Sequence, residues 1–254
     1  MVNTAVLTSP RIYKIVLVLV LLLTVAFCFI QPTTQFRLGN LFFGELPSLY
    51  NVRLAQYFFT SAAYPLVGET PVYSHYQLSR TYFIQGELEI SLSEARKELA
   101  QYPDNKRTNY ILGLTYGYLN REEEAIEAFS EFIKAYPESW AARNDMAWLQ
   151  FRIGDVEGAL ATLEPVSTVQ NPWVQNTYGT LLLNNGKKVE AKAAFLLAEE
   201  LVSNMTEETW GKAYPGNDPR VYSMGLEAMK VSITKNLELV AEGVPVVSPA
   251  EEGG

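Results

Sequence analysis

The apolar positions of this chain follow two schedules. From Ile15 to Ile30 the run IVLVLVLLLTVAFCFI is broken only by Thr24, and counting back to Ile12 gives 19 residues in which Lys14 can snorkel outward. At about 1.5 Å per residue such a helix is roughly 28 Å long, enough for a bilayer core. The run therefore predicts a transmembrane anchor over 12–30, after a short N-terminal segment 1–11. Downstream, apolar residues recur at helical spacing in blocks separated by Gly, Asn and Pro, the pattern of amphipathic helices joined by tight turns.

These blocks repeat. Tyr102-Pro103 and Tyr136-Pro137 each end a block, 34 residues apart. Ser79, Gly113, Ala147 and Gly179 are small residues at spacings of 34, 34 and 32, and Gly86, Asn120, Gly154 and Gly186 follow each of them by seven. Ser91, Ala125, Ala159 and Ala191 keep the same step, as do Ala95, Phe129, Leu163 and Phe195. The physical reading is a helical hairpin. A first helix carries a small residue where the second must pack closely, and a Gly or Asn in the left-handed conformation makes the turn. The second helix then presents Ala and a large apolar residue four apart. Glu122-Glu123-Glu124 falls at the start of such a second helix, where negative charge favours the helix dipole, so its reading is structural.

This pattern resembles the tetratricopeptide repeat family, whose unit of about 34 residues is a pair of antiparallel helices. The resemblance covers residues 72–205 in four units: 72–105, 106–139, 140–173 and a shorter one from about 172 to 205. The second matches best, through Leu112, Gly113, Tyr116, Ala125, Phe129 and Pro137. Departures are visible: His75, Asn109, Arg143 and Gln175 stand where the family has an early Trp, and Asn171-Pro172 closes the third unit. With the anchor read from the apolar run, the resemblance implies an all-α fold: an N-terminal transmembrane helix followed by an α-α superhelix of about four hairpins with capping helices. On the N-terminal side, segment 31–71 would hold a capping helix over 48–64 ending at Tyr64-Pro65, with no trusted periodicity from Gln31 to Pro47. On the other side, segment 206–242 would hold a capping helix. It would start at Asp218-Pro219, run to about Val240, and carry Val221, Gly225, Met229, Ile233 and Leu237 on one face. Residues 243–254 are expected to be a disordered tail.

Charge and composition narrow the function. The chain has 254 residues with 20 basic and 28 acidic, net −8, and residues 1–30 contain Arg11 and Lys14 with no acid, so the remainder carries −10. That balance argues against nucleic acid as a partner. One Cys and one His exclude a disulfide framework, a cysteine-only zinc site and a two-histidine metal site. Neither a nucleophile with its base nor a phosphate-binding glycine loop is present, so no enzyme and no cofactor is expected. Cys28 lies inside the apolar run behind the bulky Phe27, unlike a lipoprotein signal, and no small-x-small cleavage site follows, which favours an uncleaved anchor. Arg11 and Lys14 on one flank, against Arg37 and Glu45 on the other, orient the N-terminus to the cytoplasm and the repeats to the extracytoplasmic side.

In the family, first helices line a concave groove. Carried over position by position, the resemblance implies Tyr73, Tyr76 and Arg80, then Arg107, Tyr110 and Tyr118, then Asn144, Trp148 and Arg152, then Trp173, Asn176 and Asn184. The chosen partner-binding set is Tyr76, Arg80, Tyr110, Tyr118, Asn144, Trp148, Arg152, Trp173 and Asn176. Aromatic and Arg side chains offer large contact area, and Asn can pair with an extended backbone. A carboxylate clamp is not adopted, because Tyr76 and Tyr110 stand where it would need Lys or Asn. The resulting reading is a single-pass membrane scaffold that binds a protein or peptide segment in assembly or chaperoning, with self-association compatible. The other class considered is a carbohydrate module that uses the groove aromatics and a Glu pair.

Overall fold

The computed structural model describes residues 10–45, 47–213 and 222–246, and divides into two compact bodies, Met1–Tyr82 and Phe83–Gly254. Among the described residues the secondary structure is helical throughout. In the first body, α1 (Pro10–Ile30) is followed by α2 (Pro32–Asn40), α3 (Val52–Ala63) and α4 (Ser74–Ile84), the last of which crosses the boundary between the bodies. The stretch Tyr13–Ile30 of α1 has a mean hydropathy of 2.7 and is not buried against protein, so by length and composition it could cross a membrane. Gln31 interrupts the helix with an extended ψ of 133°, as a residue before proline tends to, and Pro32 opens α2.

The segment from Gln31 to Pro47 gave no periodic signal, yet it forms α2 and packs with α3 as a hairpin. Gly39 permits this, since a Cβ there would sit 2.5 Å from the Phe59 ring. Phe59 is fully buried, with Phe36 at 5.8 Å and Phe43 at 5.8 Å between ring centroids. Thus the segment expected to hold one helix forms a hairpin of α2 and α3. Asn51 caps α3 by accepting a bond from the Leu54 N–H at 3.0 Å.

The second body holds α5 (Leu88–Gln101), α6 (Thr108–Tyr118), α7 (Glu122–Ala135), α8 (Trp140–Arg152), α9 (Val156–Leu163), α10 (Pro172–Asn184), α11 (Lys188–Ser203), α12 (Glu207–Ala213) and α13 (Tyr222–Glu242). All four expected turn residues have positive φ: Gly86 81°, Asn120 54°, Gly154 86° and Gly186 75°. In three of these turns the same bond closes the helix end: Arg121 N–H to the Tyr116 carbonyl at 3.0 Å, Asp155 to Gln150 at 2.8 Å, and Lys187 to Leu182 at 2.9 Å. The small-to-large pairs meet as the spacing predicts. A Cβ on Gly113 would lie 2.8 Å from Phe129, and one on Gly179 would lie 2.7 Å from Phe195. Tyr64, Tyr102 and Tyr136 end their helices alike, with φ near −130° (−126°, −132°, −131°), because the following proline disfavours another helical residue.

Two features depart from the periodic scheme. α9 is short because Pro165 has no N–H to continue the ladder, and the chain makes one 3-10 turn over Glu164–Val166. Asn171 then restarts the stack, accepting from the Trp173 and Val174 N–H groups. At the C-terminal side, the unanticipated α12 brings Trp210 onto α13, where its ring fills the space that a Cβ on Gly225 would need. Met229, Ile233 and Leu237 face the core as expected, whereas the Asp218-Pro219 start and Val221 lie outside the described residues. Of the tail expected over 243–254, Val246 packs against the core and residues 247–254 lie outside the described residues.

Candidate functional site

Three of the expected side chains converge on one groove in the second body. Tyr118 near the end of α6 and Trp148 and Arg152 on α8 line a cavity of about 360 Å³, together with Gly117, Asn120 and Asp145. The two aromatics are the exposed ones, Tyr118 at 69% and Trp148 at 41%. Each is braced from behind: Tyr118 meets Phe83 edge-on at 5.2 Å, and Trp148 lies 5.4 Å from Phe151. Arg152 is fixed at the rim, donating to Asn120 Oδ1 at 2.9 Å and Glu122 Oε1 at 2.7 Å. The positive φ of Asn120 thus both turns the chain and presents an acceptor to the arginine.

Tyr110 supports the groove from below. Its ring packs against Phe129 at 5.6 Å and Phe132 at 5.2 Å, and its hydroxyl donates to Asp145 Oδ2 at 3.0 Å. Asp145 was not among the expected residues, although a signal existed. It is the one acidic residue in the four first helices α4, α6, α8 and α10, whose surfaces are otherwise neutral or basic.

The remaining expected residues are placed elsewhere. Asn144 is buried, 6% exposed. Trp173 stands between Trp140 at 6.3 Å and Trp210 at 5.4 Å, a ladder of indoles from α8, α10 and α12, and Trp210 Nε1 contacts Met229 Sδ at 3.2 Å. Asn176 accepts from Asn236 Nδ2 of α13 at 3.0 Å, so the C-terminal helix occupies its groove position. Asn184 donates to the Thr180 carbonyl at 2.8 Å, while Arg107 is exposed. In the first body, Arg80 lies 4.8 Å from the Phe43 ring and 5.7 Å from that of Tyr76, and donates to Gln77 at 2.9 Å. Tyr73 meets Tyr76 edge-on at 6.0 Å.

The acidic start of α7 is engaged within the fold. Glu122 holds Arg152, and Glu124 Oε1 accepts from Arg121 Nε at 2.9 Å. That hydrogen bond holds the exposed Glu124 carboxyl below the ordinary glutamate range. A folded-state value below the unfolded one means the pair's contribution is present at neutral pH and is lost as pH falls through the lowered midpoint. An NMR titration is expected to show Glu124 titrating low and to return it to the ordinary range in Arg121→Gln; an unchanged midpoint in that variant would remove the assigned cause.

A groove of exposed aromatics on stacked helical hairpins defines an α-α repeat protein. The match can be made more specific. Residues 108–139, the α6–α7 hairpin with its approach, match the family model described as tetratricopeptide repeat. Solved structures share the fold. A thermophilic TPR protein in Thermus thermophilus is 17% identical with a TM-score of 0.55, covering 80% of this chain and 99% of its own. MamA from AMB-1 is 17% identical with a TM-score of 0.55, covering 70% and 94%. YrrB, titled a TPR protein with an unusual peptide-binding site, is 14% identical with a TM-score of 0.56, covering 69% and 88%. No curated protein matches in sequence. Residues 108–139 thus match a tetratricopeptide repeat, and the chain shares the fold of solved tetratricopeptide-repeat proteins.

Proposed function

We propose that the protein is a membrane-anchored scaffold that holds a protein or peptide segment in the α6–α8 groove, in the assembly or chaperoning of a complex at the membrane. The observation that carries this is the pairing of exposed Tyr118 and Trp148 beside a fixed Arg152 and a fixed Asp145. Large, braced aromatics lose little side-chain entropy on contact, and a fixed cation and anion can set the register of a partner backbone. The peptide-binding site named for YrrB is consistent with such a use of the fold. A carbohydrate module would set two free carboxylates before the aromatics, whereas here Asp145 is held by Tyr110 and Glu122 by Arg152, so the protein partner is preferred.

Photocrosslinking of the full chain in its native membrane tests the reading. Tyr118→Ala combined with Trp148→Ala is expected to remove the crosslinked partner while leaving the helical circular dichroism unchanged, since both side chains are substantially exposed. Unchanged crosslinking would sink it. We also propose that α1 is the anchor, with its N-terminus cytoplasmic and the repeats extracytoplasmic. A topology reporter fused after Gly254 should be active on the extracytoplasmic side, and cytoplasmic activity would reverse this orientation.

A further inference from the structure

The hairpin after the apolar helix differs from the rest of the chain in charge. Residues 31–68 carry Arg37 and Arg53 against Glu45, whereas residues 69–254 carry 16 basic and 27 acidic residues, net −11. On α3, Tyr57 lies one turn on from both Arg53 and Leu54, and all three are exposed, Tyr57 at 61%. An acidic protein has thus placed its one net-positive hairpin, with an outward tyrosine and leucine, next to the helix that could cross a bilayer.

The two are joined without slack. One residue separates α1 from α2, Gln35 Nε2 donates to the Phe29 carbonyl at 2.6 Å, and Gln31 Nε2 donates to the Phe27 carbonyl at 3.4 Å. Side chains continue the junction. The Phe29 ring meets Phe58 edge-on at 6.4 Å, and Phe58 stacks on Phe42 at 5.6 Å and meets Tyr57 at 5.4 Å. Phe29 is the penultimate residue of α1, so in a membrane it marks the edge of the hydrocarbon layer. Tyr57, two ring contacts away, would stand at the same boundary, where tyrosine rings collect because one end is apolar and the other wet.

We propose that the α2–α3 hairpin lies on the surface of the bilayer that α1 spans, with Leu54 and Tyr57 at the headgroup boundary and Arg53 on the phosphate of an anionic phospholipid. This rests on α1 being a membrane anchor. Arginine suits the phosphate because its planar fork donates two parallel bonds. The hairpin then holds the start of the chain outside the bilayer against the membrane surface, rather than leaving it on a free tether.

The test uses the full chain with Cys28→Ser, reconstituted in vesicles of phosphatidylcholine and phosphatidylglycerol. Single-cysteine variants Tyr57→Cys and Ile30→Cys carry an environment-sensitive fluorophore. Nitroxide at the lipid headgroup is expected to lower both signals roughly twofold or more, and adding Arg53→Glu should weaken the effect at position 57 only. If position 30 is quenched by lipid while position 57 responds only to aqueous iodide, the hairpin proposal is overturned and the anchor stands. Shielding of position 57 from both quenchers would point to a protein cover and also overturn it. If neither position senses lipid, the anchor reading and the hairpin proposal fall together.

Discussion

Replacing Phe195 with Ala is expected to destabilise the α10–α11 hairpin by about 3–5 kcal/mol, a large share of the roughly 5–15 kcal/mol that holds a typical domain together. The Phe195 ring is fully buried and fills the space that Gly179 leaves on the facing helix. The converse change tests the same contact from the other side. In Gly179→Ala the new Cβ would sit 2.7 Å from the ring, so the fully buried Phe195 would have to shift within its core. Overpacking of this kind costs about 1–3 kcal/mol, against which the better helix propensity of Ala returns about 1 kcal/mol. The double variant should be less damaged than the sum, by on the order of 1 kcal/mol, because removing the ring removes the clash. Hydrogen exchange of the α10 and α11 amides reads this best, since stacked repeats can open locally without global unfolding. Strict additivity would show that the two residues do not constrain each other.

That same relation explains why so much of the repeat region was legible in the sequence. A glycine opposite a phenylalanine, 16 residues on in both Gly113–Phe129 and Gly179–Phe195, is a steric requirement that few other residues satisfy, so single letters carry it. Left-handed turn residues are legible for the same reason. The α2–α3 hairpin uses the same contact, but Gly39 and Phe59 are 20 residues apart because the chain detours through Leu41–Asn51. The detour breaks the period and hides the hairpin. Site residues are less legible because family position does not decide exposure. Trp173 occupies a groove position, but Trp210 from the aperiodic α12 recruits it into an indole ladder, and α13 reaches Asn176 in the same way. Asp145 was visible only as a charge in an otherwise uncharged or basic set of first helices. Its pairing with Tyr110 spans two hairpins and leaves no spacing signature of its own.

Within α6 two glycines stand one turn apart on the same groove, and the different space beside each gives the second large effect. Gly113 is packed on Phe129, which a Cβ would meet at 2.8 Å. Gly117 lines the groove, and its Cβ would reach only Leu149 at 3.4 Å, an ordinary contact. A Cβ at 117 therefore meets only ordinary contact, and a leucine there gains about 1 kcal/mol of helix propensity over glycine and adds bulk to the cavity that Gly117 lines with Tyr118 and Trp148. Gly117→Leu is expected to weaken the partner on the order of 100-fold, equivalent to about 2.7 kcal/mol, with thermal stability at or above that of the parent chain. Gly113→Leu should do the reverse, lowering stability through the Phe129 clash before any question of binding arises. Melting curves and quantitative crosslinking on the two variants separate the roles. A Gly117→Leu chain that still binds at parental strength would show that the partner does not enter this groove. A chain that binds weakly but has also lost its fold would show that Gly117, like Gly113, serves packing.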